Sequence, residues 1–119
     1  MSLFLKAEMD EYLFEPEGCY ITELSNSEVD PDCSIAQARV EPGITTSWHR
    51  LRKTTERYCI LSGVGVVELG EAERKKVGAG DVVLISPMQQ QRITNTGTED
   101  LVFLAICTPR FETHNYEQL

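Results

Sequence analysis

The residues with the chemistry of a working site lie in one stretch, PGITTSWHRLRKTTERYCILSG, which runs from Pro42 to Gly63. It contains His49, one of only two histidines in the chain, and the carboxylate of Glu56 seven positions later. An imidazole and a carboxylate in one site can ligate a divalent metal or transfer protons to a bound molecule. The apolar Leu51 lies between them, so a polar bend in a β-protein is the alternative reading.

Short strands must position these residues, because β-rich runs of four to eight residues alternate with turns rich in Gly, Pro, Asn and Asp. We predict strands at residues 20–24, 34–40, 48–52, 57–62, 64–69, 81–85, 91–95 and 101–107. Many short strands separated by such turns favour a sandwich or barrel. The fold class is therefore all-β with little helix. Residues 3–14 are predicted as a strand or a short helix, and the acidic tail 112–119 as a helical turn or a disordered segment.

Strand alternation predicts which side chains share a face. Side chains two residues apart in a strand point the same way, so His49 should share a face with Leu51, and Glu56 with Tyr58. Trp48 should then point to the face opposite His49. The directions of Gln37 and Arg39, towards a pocket or towards solvent, stay open.

Turn residues and apolar runs give three further expectations. Gly63 and Gly65 are predicted to form a tight reversal between two strands, and the segment NTGTED is predicted to form a hairpin turn. The uninterrupted apolar run 82–85 is predicted to be buried on both faces.

Length and charge limit the classes of protein and partner. The chain has 119 residues, which fits one domain (1–119) with a core at 19–107, an N-terminal arm at 1–18 and a tail at 108–119. A net charge of −8 disfavours nucleic acid and anionic membranes as partners. We expect a cytoplasmic protein, since no signal or membrane-spanning run is visible and the four cysteines lack metal-site or disulfide spacing.

The first part of the chain's pattern resembles a motif of the cupin family, G-x5-H-x-H-x(3,4)-E-x6-G. Gly43 is followed by five residues and then by His49, and Glu56 is followed by six residues and then by Gly63. Leu51 stands where the family has its second histidine.

The second cupin motif, G-x5-P-x-G-x2-H-x3-N, is matched in spacing but less in residue type. Gly80 and Asn95 are kept, while Ser86, Met88 and Gln91 replace the proline, the glycine and the histidine. The two motifs span residues 43–95, and the flanking strands extend the resemblance to about 19–107.

The resemblance implies a double-stranded β-helix, a jelly-roll barrel in which the two motifs hold one divalent metal. Of the four ligand positions this chain keeps His49 and Glu56, offers the neutral amide of Gln91, and fills the fourth with Leu51. We therefore predict a polar cavity around His49, Glu56 and Gln91 that binds a small polar molecule. Either one weakly bound iron, manganese, nickel or zinc ion or no metal is expected there.

Three functional alternatives follow from this site. The first is a metal-dependent enzyme of the dioxygenase or isomerase class, with His49, Glu56 and Gln91 as ligands. The second is a metal-free binding protein. The third is a sugar isomerase or epimerase in which His49 is the base, although no second acid is visible. The catalytic candidates are His49, Glu56 and Tyr58. The resemblance also implies a homodimer, which the apolar run at residues 3–5 favours.

Overall fold

The computed structural model describes residues 2–6 and 10–119. Within them, the only helical element is one 3-10 turn at Thr113–Asn115, and no helix is long and apolar enough to cross a membrane. The strands are β1 (Tyr12–Phe14), β2 (Cys19–Ser25), β3 (Ser34–Val40), β4 (His49–Leu51), β5 (Thr55–Ser62), β6 (Val64–Leu69), β7 (Glu73–Gly78), β8 (Val82–Ile85), β9 (Gln91–Asn95), β10 (Leu101–Thr108) and β11 (Tyr116–Gln118). The all-β prediction is confirmed.

Two antiparallel sheets face each other. One has six strands in the order β1-β2-β3-β10-β5-β8, and the other has five in the order β11-β4-β9-β6-β7. Between β4 and β10 the chain passes repeatedly from one sheet to the other, so that β5, β8 and β10 lie opposite β4, β6 and β9. This winding is the double-stranded β-helix that the sequence predicted.

The inward faces of β5 and β9 begin with a polar residue and continue with apolar ones. β5 buries Glu56, Tyr58 and Ile60 in turn, and β9 buries Gln91, Ile93 and finally the polar Asn95. Tyr58, Ile60 and Ile93 pack with residues of β3 and β10 into one core. Fully burying an aliphatic or aromatic side chain stabilises a fold by about 1.5–3 kcal/mol, so this core can support a polar site at the other end.

Two turns differ from their predicted form, because the strands that they join do not pair. β5 and β6 lie in different sheets, as do β9 and β10, so both turns are crossovers and neither is a hairpin. Gly63 has a φ of +86°, and a Cβ there would lie 2.6 Å from the carbonyl oxygen of Asp100. Gly65 is needed for a different reason: a Cβ there would lie 2.6 Å from the carbonyl oxygen of Thr94.

The edge strands were the hardest to predict. β8 was expected to be buried on both faces, which is wrong, because Val82 and Leu84 are each 64% exposed. A continuous apolar run shows that a strand has two apolar faces but does not show that both are covered. β7 was not predicted, because it reads ERKKVG and buries only Val77.

Both ends of the described chain add strands to the sheets. Residues 12–14 form β1, which is the strand alternative for the N-terminal segment, whereas residues 7–9 lie outside the described residues. The tail forms the helical turn that was one alternative, but then continues into β11, which pairs with β4. In that pairing Tyr116 lies opposite Leu51, at the wall of the predicted site.

The outer faces carry the residues whose direction was open. Arg39 binds Glu11 at 2.7 Å and Asp100 at 3.2 Å, and its guanidinium lies 4.2 Å from the centre of the Tyr20 ring. Gln37, two residues earlier in β3, shares that outer face. Trp48 also points outward as predicted, with the guanidinium of Arg92 4.5 Å from its ring centre.

Candidate functional site

His49 begins β4 and is 2% exposed. Its Nδ1–H donates to the carbonyl oxygen of Ser47 at 2.8 Å, which leaves a lone pair on Nε2. That Nε2 lies 3.5 Å from Oε1 of Glu17, and the ring stacks on Tyr116 with centroids 5.3 Å apart. Burial lowers the pKa of His49, so the neutral imidazole is favoured.

Gln91 lies directly opposite His49 in the pairing of β4 with β9 and is 1% exposed. Its Oε1 accepts a hydrogen bond from the hydroxyl of Tyr58, while its Nε2 is buried without a partner. Burial holds the pKa of Tyr58 well above its usual value, so this hydroxyl remains a donor. The Tyr58 ring packs on Phe103 with centroids 4.5 Å apart.

Glu56 is the second residue of β5 and is 8% exposed. Its Oε2 is 4.0 Å from Sγ of Cys107, a weak contact, and its Oε1 has no hydrogen-bond partner. Burial raises the pKa of Glu56 to about 7, against the opposing effects of the nearby His49 and of the Gln91 amide, which is near the carboxyl group but makes no hydrogen bond with it. An unsatisfied buried acceptor costs about 1–3 kcal/mol, which a bound ligand would offset.

Glu17 is the site residue that sequence reasoning missed. It lies in the turn between β1 and β2, its side chain is 17% exposed, and burial raises its pKa to about 8. An acid in the segment EPEG, beside a turn glycine, is ordinarily solvated, so composition gave no signal. Only the folding of the β1–β2 turn over the end of the barrel brings Glu17 to His49.

A cavity of about 70 Å³ opens between the β1–β2 hairpin and the inner face of β3, β5 and β10. This is several times the volume that one water molecule needs. Glu17, Glu56 and Tyr58 line it, whereas His49 and Gln91 are not among its lining residues. His49 contacts the lining residue Glu17, and Gln91 is hydrogen-bonded to the lining residue Tyr58. Both are therefore one contact away from the cavity.

The predicted metal ligands do not make a good donor set. His49 offers Nε2 and Glu56 offers Oε1, but the amide oxygen of Gln91 is engaged by Tyr58, and the free amide nitrogen is not a metal ligand. Among the residues that the structure describes, no three His, Cys, Asp or Glu side chains are grouped so as to hold an ion. A resident divalent metal therefore does not fit this site as it stands.

Comparisons with known proteins agree with the fold. Uncharacterized protein MJ1618 of Methanocaldococcus jannaschii is 29% identical to this chain, over 97% of it and 94% of the relative. The Streptomyces protein PAC13, solved with uridine, superposes with a TM-score of 0.80 at 18% identity, covering 100% of this chain and 92% of the other. A predicted oxalate decarboxylase of Thermotoga maritima superposes with a TM-score of 0.77 at 24% identity, covering 92% of this chain and 99% of the other.

These structural similarities are below 25% identity and show the fold alone. The family assignment comes from the sequence, since the family model described as "Cupin domain" matches residues 36–107. This range is more than half of the chain and includes both motifs. The altered ligand positions at Leu51 and Gln91 lie inside it. The chain belongs to the cupin family.

Proposed function

We propose that this cupin binds a small polar molecule in the cavity lined by Glu17 and Glu56 and transfers protons to and from it without a resident metal ion. The observation that carries the proposal is the Oε1 atom of Glu56, which is buried and unpartnered on a residue that lines a cavity. Buried polar atoms are normally satisfied, so an unpaired one at a cavity wall indicates a ligand that is bound there in use.

The two carboxyl groups suit different roles. Near pH 7, Glu17 with its pKa of about 8 is mostly protonated and can donate, while Glu56 with its pKa of about 7 is partly ionised and can accept. His49 presents an unprotonated Nε2 to Glu17 and can exchange a proton with it. Glu17 thereby supplies the second acid that the sequence did not reveal.

Elimination of water is a reaction that such a pair can catalyse. Glu56 would take a proton from a substrate carbon, the electron pair would form the new double bond, and the leaving hydroxyl would depart as water with the proton of Glu17. A proton then returns from Glu56 to Glu17 through His49 or solvent. The fold similarity to Pac13, which is described as a nucleoside dehydratase, supports testing this reaction class first.

A metal-dependent reaction is the competing function, because the free oxygen of Glu56 would also accept a cation. Elemental analysis of protein purified without chelator separates the two. About one equivalent of iron, manganese, nickel or zinc that is lost in Glu56→Gln would overturn the metal-free proposal.

Binding itself is tested by nuclear magnetic resonance in chelator-treated buffer, with a panel of small polar metabolites, neutral and cationic, that includes uridine. We expect at least one compound to shift the amides of Ala36 and Ala105 on the cavity wall, and Glu56→Gln to reduce the effect. Glu71→Gln, at an exposed acid, is the matched control. If no compound shifts these amides, the cavity does not bind molecules of this class.

We further propose that the protein works in a reducing compartment such as the cytoplasm. All four cysteines are free, and Cys19 and Cys107 are buried in the cavity wall. Buried thiols of this kind act as small apolar side chains.

A further inference from the structure

The titratable groups that line the cavity are acidic. Glu17, Glu23 and Glu56 contribute three carboxyl groups, and no lysine or arginine is found among the described residues that line it. Arg39, on the neighbouring strand β3, points to the opposite face, where Glu11 and Asp100 bind it. An anionic ligand would therefore meet three acids and no counter-charge from the described walls.

Most of the remaining lining residues are aromatic or small. The aromatic lining residues are Tyr12, Phe14, Tyr58, Phe103 and Phe111. The small lining residues of β3 and β10, which leave space for a ligand, are Ser34, Ala36, Ala38 and Ala105. The faces of aromatic rings carry partial negative charge and attract cations, most strongly where water is excluded. Rings and acids together favour a compact organic cation over a neutral molecule of the same shape.

We propose that the ligand of this cavity carries an organic ammonium group. The inference rests on the proposed function, since it names the ligand class for the same cavity. A cluster of acids alone would not support the ammonium inference. The second observation is the Oε1 atom of Glu56, on a side chain that is 8% exposed, lines the cavity and leaves that oxygen without a partner.

An inorganic divalent ion fits the same cavity less well. Such ions need several oxygen or nitrogen ligands at short distance, and the described residues provide no group of three that could hold one. An ammonium group binds through hydrogen bonds and ring faces without a fixed coordination shell, and its alkyl substituents can pack on the rings.

Three molecules with the same tert-butyl body test the charge preference: tert-butylammonium, tert-butanol and pivalate. Each is titrated into the full chain at matched ionic strength, and the amides of Ala36 and Ala105 are followed by nuclear magnetic resonance. We expect tert-butylammonium to bind at least about tenfold more tightly than tert-butanol, a difference of about 1.4 kcal/mol. Pivalate should leave these amides unshifted.

Two variants show whether the acids of the cavity cause the preference. Glu23→Gln lies outside the proposed acid–base pair and should weaken tert-butylammonium binding several-fold without changing tert-butanol binding. Glu56→Gln should weaken tert-butylammonium binding more than tert-butanol binding, and the exposed Glu71→Gln should change neither. If one cavity variant fails to fold, as judged by circular dichroism, the other still gives the result.

The remaining outcomes separate this inference from the proposed function. Equal binding of the ammonium and the alcohol, or binding of pivalate, would overturn the ammonium preference while leaving a functional small-molecule cavity. Shifts from tert-butylammonium that are confined to exposed acids would overturn it as well. If none of the three molecules shifts the wall amides, both the ammonium inference and binding in this cavity fail.

Discussion

Oε1 of Glu17 lies 3.5 Å from Nε2 of His49, although Glu17 lies in the β1–β2 turn of the six-stranded sheet and His49 lies in the five-stranded sheet. Burial favours the uncharged form of each, since it raises the pKa of Glu17 to about 8 and lowers that of His49. Near pH 7 the contact therefore joins a protonated carboxyl group to an unprotonated ring nitrogen, and is not an ion pair. The Ser47 carbonyl, which holds the proton on Nδ1, determines that arrangement.

The raised pKa of Glu56 predicts a stability that falls as the pH rises. The unfolded group titrates near 4.5 and the folded group near 7, so between these values the folded protein holds a proton that the unfolded chain has lost. The stabilisation is complete below pH 4.5 and is lost as the pH passes 7. We expect Glu56→Gln to raise the free energy of unfolding by about 2 kcal/mol at pH 8, because it removes a buried charge.

Urea denaturation of parent and variant at pH 4.5 and pH 8 measures this difference. The two proteins should have nearly equal stability at pH 4.5, where Glu56 is protonated in the folded state. Glu71→Gln, at an exposed acid, should follow the parent at both values. A Glu56→Gln variant that is less stable than the parent at pH 8 would contradict the burial of this carboxylate.

Two substitutions of Tyr116 should change the stability of the protein in opposite directions. Its ring stacks on His49 and meets Phe14 edge-on with centroids 5.2 Å apart, but its hydroxyl is buried without a partner. Tyr116→Phe keeps the packing and removes the unsatisfied hydroxyl, so it should stabilise the protein by about 1 kcal/mol. Tyr116→Ala should destabilise it by about 3 kcal/mol, because it leaves a cavity between the tail and His49.

Thermal or urea unfolding measures both Tyr116 variants. If both are neutral, the tail strand is not docked on β4 in solution. If Tyr116→Phe is destabilising by more than about 1 kcal/mol, the hydroxyl has a partner.

The central strands could be predicted from sequence because their alternation is strict. The predicted faces of Glu56 with Tyr58, and of His49 with Leu51, agree with the observed burial patterns. The edges could not be predicted, because edge strands lack a covered face: β7 is almost entirely polar, and β8 is apolar yet exposed.

Only part of the candidate site could be predicted from the sequence, for a related reason. His49 and Glu56 lie within one motif, but Glu17 reaches them only through the long-range packing of the β1–β2 turn. Tyr116 comes from the tail by the pairing of β11 with β4. Contacts of this kind depend on tertiary structure and leave no local period in the sequence.

The outer face of the six-stranded sheet predicts a homodimer. Val82 and Leu84 of β8 are each 64% exposed, and Leu61 of β5 is 44% exposed on the same outer face. The partly buried Leu104 of β10 lies opposite Cys59 and extends the apolar surface. A stable dimer covers about 800 Å² per partner, and an apolar sheet face can pair with its own copy about a two-fold axis.

Light scattering tests this association. The parent should have twice the mass of the 13.4 kDa chain, and the double variant Val82→Glu with Leu84→Glu should be monomeric. Val29→Glu is the matched control, because Val29 is 62% exposed in a loop away from this face. A parent of 13.4 kDa at working concentration would show that the sheet face is not a dimer interface.

We expect Leu51 to limit metal binding. It is 4% exposed and shares the inward face of β4 with His49, and Gln91 lies directly opposite His49. An apolar side chain at 51 and an amide engaged by Tyr58 leave a cation with too few donors. Imidazoles at both positions would restore a set of three histidines and one carboxylate, which suits first-row metals.

We therefore expect Leu51→His to bind nickel more tightly than the parent. The double variant Leu51→His with Gln91→His should bind nickel at least about tenfold more tightly than the parent, a gain of roughly 1.4 kcal/mol in binding free energy. Calorimetry measures the affinities, and circular dichroism checks that each variant is folded. Val29→His, at a 62% exposed loop position, is a control for nonspecific binding by an added histidine. Unchanged nickel affinity in a folded double variant would mean that the side chains at 49, 51, 56 and 91 do not converge on one point inside the barrel.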